Sequence, residues 1–281
     1  MTKRAAGLKS SQLQVQIATA LSDAAGAPAD PIFRTDFGPY LRATFDFQLA
    51  KSMNRLTHFR LCPHSRSIRL ALGELGVDFE MVEERPWEWR PGFLELNPSG
   101  SLPVLETDES APVAGTYAIS EYLAETIDTG GSTATLFPGD ARARAEVRRL
   151  VDWFHMKLDA EVTSELLKEK LYPRLQPELG GHTPDIALVR AIKSNLRYHL
   201  AYINHLADQH SWLAGDVLSF ADLAAAAHLS CIDYLDEMPW ESNTVARDWY
   251  AKIKSRPSFR ALLADRVPGL PPPMHYGDLD F

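Results

Sequence analysis

The sequence predicts a small α/β domain built on a mixed sheet, followed by an all-helical domain. Three observations lead there. Between residues 53 and 128 short alternating segments and helical segments follow one another as βαβ and then ββα. After a linker at residues 129–140 the apolar period becomes 3.6 throughout, from 141 to 265. With 281 residues, 45% hydrophobic and 23% charged, the chain has an ordinary globular composition.

The elements follow in order. Residues 1–52 are rich in Ala, Ser and Gln and carry two net positive charges; they read as a mostly disordered extension, with a weak helix at 9–21, before a compact body that begins at Met53. Arg55 to Phe59 is a first short strand. Cys62-Pro63 opens a helix through Leu75, because proline is tolerated where the amide has no intrahelical partner, and Gly76 stops it. Asp78 to Glu83 alternates as a second strand. A turn-rich aromatic stretch, Arg85 to Pro98, precedes a third strand from Leu102 to Glu106 and a short edge strand. Tyr117 to Ile127 is a helix. Beyond the linker, helices are expected at 141–170, 185–209, 219–236 and 244–255, with a turn at 257–264 and a loop from Pro173 to Pro184. Ser219-Phe220-Ala221-Asp222 forms a capping-box pattern with Asp in place of Glu. The run Ala224 to Leu229 is apolar on every face and marks this helix as the buried one. Residues 266–281, with Pro271-Pro272-Pro273, favour an extended tail.

Charge and cysteine content exclude several functions. A net charge of −8 argues against a nucleic-acid binder, which needs a basic surface. Two cysteines, Cys62 and Cys231, make no disulfide framework and fit a reducing compartment, so a cytoplasmic location is expected. No apolar run approaches the roughly 18–20 residues that span a bilayer, and residues 1–52 lack a signal-peptide core. His58, His64, His155, His182, His205, His210, His228 and His275 show no metal-ligand spacing, so no metal is expected.

Four segments carry a family resemblance across residues 54–265. These are Leu61-Cys62-Pro63-His64-Ser65-Arg66; Asn97-Pro98-Ser99-Gly100-Ser101-Leu102-Pro103-Val104-Leu105; Tyr117 to Leu123; and Trp212-Leu213-Ala214-Gly215-Asp216 with Ser219 to Asp222. In this order they resemble the glutathione-transferase superfamily, which implies a thioredoxin-like N-terminal domain and a helical C-terminal one. The Cys62 segment looks like the cysteine-type omega and glutaredoxin-like members. A narrower resemblance rests on the helix-opening Cys-Pro with its arginines, on Trp87 and Trp89, and on the end from Arg266-Val267-Pro268-Gly269-Leu270 to Asp280-Phe281. It points to a dimeric, non-conjugating bacterial branch that binds the division GTPase FtsZ and acts in constriction. That branch implies a homodimer at the division site, with FtsZ and a second division protein as partners.

Cys62 is the one credible nucleophile. A thiol at a helix N-terminus feels free amides and the positive dipole end, and Arg66 and Arg69 on the same helix are expected to add to that. With Ser65 at the second redox position, any chemistry is monothiol; the alternative is a cysteine that packs beside Pro103. The resemblance implies a glutathione site at Leu102, Pro103 and Thr116, with Pro103 in cis. At Gly115, however, glutathione-binding members carry an acidic residue or Gln that holds the tripeptide's ammonium. Loss of such a charged hydrogen bond is worth roughly 1.5–3 kcal/mol, about 10- to 150-fold in affinity. No cofactor is therefore expected, and glutathione is doubtful. Candidate interface residues are Trp87 and Trp89 in a proline-bounded loop, Arg148 in the basic run Arg142, Arg144, Arg148 and Arg149, and Tyr276, Asp278, Leu279 and Phe281 in the tail, which mixes aromatic, leucine and aspartate residues as short docking peptides do. Cys231, on the apolar helix, is structural.

Overall fold

The computed structural model describes residues 54–107, 111–127, 135–176 and 183–279. The expectations for residues 1–52, the first half of the linker, the centre of the 173–184 loop, and Asp280 and Phe281 lie outside the described residues.

A four-stranded sheet opens the described chain: β1 (Asn54–His58), β2 (Phe79–Glu83), β3 (Val104–Glu106) and β4 (Val113–Ala114), in the order β2-β1-β3-β4. β1 and β2 run parallel, while β3 is antiparallel to both β1 and β4. The parallel pair needs a crossover, supplied by α1 (Pro63–Glu74). Leu56 on β1, Val104 and Leu105 on β3, and Ile68 and Leu72 on α1 are all buried. α1 begins with Pro63 at its first helical position. It ends in a Schellman turn, in which the Val77 amide bonds the Leu72 carbonyl at 2.9 Å and Gly76 takes φ +68°. Two short elements follow β2: a 3₁₀ turn at Pro86–Glu88 and α2 (Pro91–Leu96). α3 (Thr116–Thr126) closes this half.

The helical half begins with α4 (Ala141–Asp152), capped by Asp140, whose carboxylate accepts the Arg142 and Ala143 amides. The helix expected over 141–170 is continuous but not uniform. Trp153–Thr163 is wound as a π-helix before α5 (Ser164–Lys170) resumes the α form. A short α6 (Tyr172–Leu175) occupies the start of the expected loop. Then come α7 (Ile186–Gln209), α8 (Phe220–Tyr234), α9 (Thr244–Lys254) and a single turn, α10 (Arg260–Leu263). Every residue of α8 is buried, as the apolar run at its centre requires, and its polar residues Asp222, His228, Ser230 and Asp233 are hydrogen-bonded inside. Its start is built around Asp222, which accepts from the Ser219 amide and hydroxyl, the Leu213 amide and the Trp249 indole at 2.8–3.1 Å.

The C-terminal segment corrects an expectation. It is a strap laid on its own chain and not a free extended arm. Tyr234 on α8 accepts the Val267 amide and donates to the Leu270 carbonyl. Residues Met274–Gly277 form a 3₁₀ turn whose Tyr276 is buried. No helix of the described residues is long and apolar enough to cross a membrane.

Candidate functional site

Cys62 sits where β1 feeds α1, at the N-cap, with its amide bonded to the Phe59 carbonyl at 3.0 Å and its side chain making no capping bond. The thiol is only partly exposed. Burial pushes its pKa above the ordinary value; the Ser65 hydroxyl and the Ser65 and His64 amides pull it back, and the Asp159 carboxylate opposes them. The balance favours the protonated thiol.

The expected help from Arg66 and Arg69 is absent, because both guanidiniums turn away from the thiol. Arg66 is fully buried and donates to the Arg60 carbonyl at 2.6 Å, to Ser230 at 2.8 Å, to Tyr276 at 3.1 Å and to Asp265 at 3.1 Å. Arg69 takes both oxygens of Asp265, at 2.8 and 3.0 Å, and the Ala261 carbonyl. A buried cation needs a counter-charge more than it needs a catalytic task, and Asp265 supplies it. Tyr276 is thereby drawn inside: its hydroxyl accepts from Arg66 and donates to the Leu262 carbonyl, and burial pushes its pKa up to about 12. Its reading as a docking residue is corrected, while Asp278 and Leu279 beside it are exposed.

The Leu102–Pro103 peptide is cis, and the Gly115 amide donates to the Pro103 carbonyl at 2.9 Å. Leu102, Pro103 and Thr116 are buried, and Thr116 is the first residue of α3. Gly115 takes φ +90°, a conformation that favours glycine, and a Cβ there would meet nothing within 4 Å. The space for an ammonium-binding side chain exists, but the side chain is missing.

The structure assembles a group that spacing did not reveal. His64 on α1 stacks on His155 at 4.6 Å between centroids and lies 3.7 Å from Asp159. His155 reaches His228 at 3.1 Å, and His228 reaches Thr163 at 2.9 Å. Burial, and then the neighbouring imidazoles, hold His155 and His228 well below the ordinary pKa, so both are neutral near pH 7. The signal was the four-residue spacing of His155, Asp159 and Thr163, which the π-helix turns toward α8. Among the described residues no group of His, Cys, Asp and Glu has metal-binding geometry.

The two loop tryptophans part company. Trp87 is half-buried, edge-on to Phe59 at 5.1 Å and against Tyr172 of α6 at 5.4 Å, whereas Trp89 is 64% exposed. Arg148 is engaged within the chain: it forms a two-pronged pair with Glu121 at 2.7 and 2.8 Å and lies over the Phe137 ring. Its side chain nevertheless stays partly exposed. Cys231 is buried, with its thiol toward the Leu61 carbonyl.

Comparison with known proteins places both halves in one family. The glutathione S-transferase N-terminal domain model matches residues 61–126, and the C-terminal domain model matches residues 167–257. The chain is 48% identical over 229 residues to FtsZ-localized protein A of Caulobacter vibrioides, covering 80% of this chain and 97% of that one. It is 32% identical over 223 residues to glutathione S-transferase 3 of Zea mays, covering 76% and 94% of the two chains. A crystal structure of a glutathione S-transferase from Sinorhizobium meliloti superposes with a TM-score of 0.78 at 47% identity, covering 82% of this chain and all of the other.

Proposed function

We propose that this chain, which belongs to the glutathione S-transferase family, is a cell-division adaptor that binds FtsZ filaments and promotes constriction without conjugating glutathione. The observation that carries this reading is the 48% identity to FtsZ-localized protein A along 97% of that relative. The chemistry around Cys62 and Gly115 supports it: a thiol held protonated by burial, two arginines committed to Asp265, and glycine where an ammonium would be held. On this reading the protein works as a homodimer in the cytoplasm, at the division site. Trp89 contributes to the FtsZ contact, and the exposed Asp278 and Leu279 serve a second division component.

Co-sedimentation of the full chain with FtsZ polymers tests the reading. Pelleting with polymers that is reduced in Trp89→Ala is expected; failure to pellet under any nucleotide would sink it. A second reading, a monothiol glutathione or thiol transferase using Cys62, is favoured by the amides and the Ser65 hydroxyl gathered at the sulfur. Tight retention on glutathione resin with turnover lost in Cys62→Ala would establish that reading instead.

A further inference from the structure

We infer that residues 84–90 form a charge-neutral platform that presents Trp89 to an uncharged, apolar recess of its partner, with Glu84 and Trp87 as positioning residues. The name of the partner rests on the FtsZ reading above; the platform does not.

Glu84 is buried, and its carboxylate accepts from the Arg85 amide at 3.0 Å and from Arg90 at 3.0 and 2.5 Å. Its own amide is tied to the His58 carbonyl at 2.8 Å. The carboxylate therefore closes the stretch on itself, and the backbone amide fixes it to the end of β1. The remaining two charges, Arg85 and Glu88, pair at 3.3 Å. All four ionic groups of the stretch thus cancel inside it, and little net field reaches a partner.

Within that frame the 3₁₀ turn Pro86–Glu88 leaves one indole half-buried and the other exposed. Trp87 is wedged between Phe59 of the sheet half and Tyr172 of the helical half. Trp89 takes φ +49°, a left-handed conformation that bulky residues avoid. Such a conformation persists only where its surroundings over-determine it. The surroundings here are the Glu84–Arg90 clamp on one side and Gly100 on the other. A Cβ on Gly100 would stand 3.1 Å from the Trp89 ring, closer than an ordinary contact, so the ring packs tightly over this glycine. An exposed, backbone-fixed indole loses little freedom on binding, and tryptophan anchors of this kind fill apolar pockets.

The test combines binding with a spectroscopic readout that needs no partner. Full-length protein carrying 5-fluorotryptophan is examined by 19F NMR, the Trp89 line being the one lost in Trp89→Phe. A broad Trp89 line that sharpens in Glu84→Gln and in Trp87→Leu, without loss of the global unfolding transition, is expected. A line unchanged in both variants would overturn the inference. In co-sedimentation with FtsZ polymers, Trp89→Ala is expected to weaken binding by about thirtyfold, the scale of an interface hot spot, and Glu84→Gln by about fivefold or more. The ratio of the Trp89→Ala and wild-type dissociation constants is expected to stay constant as salt rises, because no ion pair crosses to the partner. Binding lost in Trp89→Ala but intact in Glu84→Gln would contradict the platform and leave the FtsZ reading standing, as a ratio that collapses with salt would contradict the uncharged recess. Wild-type protein that never pellets would defeat the FtsZ reading, and the 19F lines alone then decide the platform.

Discussion

The helix that begins at Cys62 and the one that begins at Ser219 both present free amides at their N-termini, yet they are stabilised from very different distances. At α8 the solution is local. Asp222 reaches back three residues to Ser219 and nine to the Leu213 amide, and only the Trp249 indole comes from further away. At α1 the N-cap side chain makes no capping bond. The arginines of its first turns are instead held by Asp265 and Tyr276, 196 to 210 positions later in the chain. A helix start free to do chemistry keeps its positive charge near the thiol; this one has committed that charge to joining the two halves of the protein.

Removing the shared counter-ion should break the comparison most severely. Asp265→Ala leaves two buried guanidiniums uncompensated and is expected to cost roughly 3–5 kcal/mol, against a typical total of about 5–15. Urea denaturation measures it, and a loss below about 1 kcal/mol would mean that the arginines find other partners. Acid comes next, through His58, which burial and then the nearby Arg69 hold at about 4. The unfolded chain takes up this proton near pH 6.5 and the folded chain only near 4. The unfolded state therefore binds more protons in between, and stability present above pH 6.5 falls as pH drops toward 4, by on the order of 3 kcal/mol. His155 and His228 act in the same direction. Urea midpoints at pH 7.5 and 5 should show this loss, and a smaller one in His58→Gln.

The smallest effects sharpen the contrast by their signs. Ser219→Ala removes the hydroxyl bonded to Asp222 and is expected to cost about 1 kcal/mol. Cys62→Ser places a good N-cap residue where none acts now and should be neutral or stabilising, by up to about 0.5 kcal/mol. Equal losses in the two variants would show that the sulfur already caps α1.

This contrast also explains what the sequence made legible. The individual strands, the buried α8, the Ser219–Asp222 box and the Gly76 stop were readable because each depends on neighbours a few residues apart. The motifs around Cys62, Pro103 and Ser219 are each local too, and the family followed from their order along the chain. The commitment of Arg66 and Arg69 was not, since nothing local distinguishes an arginine that tunes a thiol from one that needs a buried carboxylate. Tyr276 misled in the same way: a tail rich in proline, aromatic residues and aspartate reads as a free peptide until its hydroxyl meets Arg66. The grouping of His64, His155 and His228 escaped because it joins three helices, and no spacing along one segment relates α1, the π-helix at Trp153–Thr163 and α8. Trp87 and Trp89 share one loop and one composition, and only tertiary contacts with Phe59 and Tyr172 separate the wedge from the exposed ring.

The most direct test is the rate at which Cys62 is alkylated as a function of pH, in a full-length Cys231→Ser chain. A half-rise above the ordinary thiol value of about 8.5 is expected, because burial outweighs the amides and the Ser65 hydroxyl. A plateau reached below about pH 7, as for an activated thiolate, would contradict it and return Cys62 to catalysis.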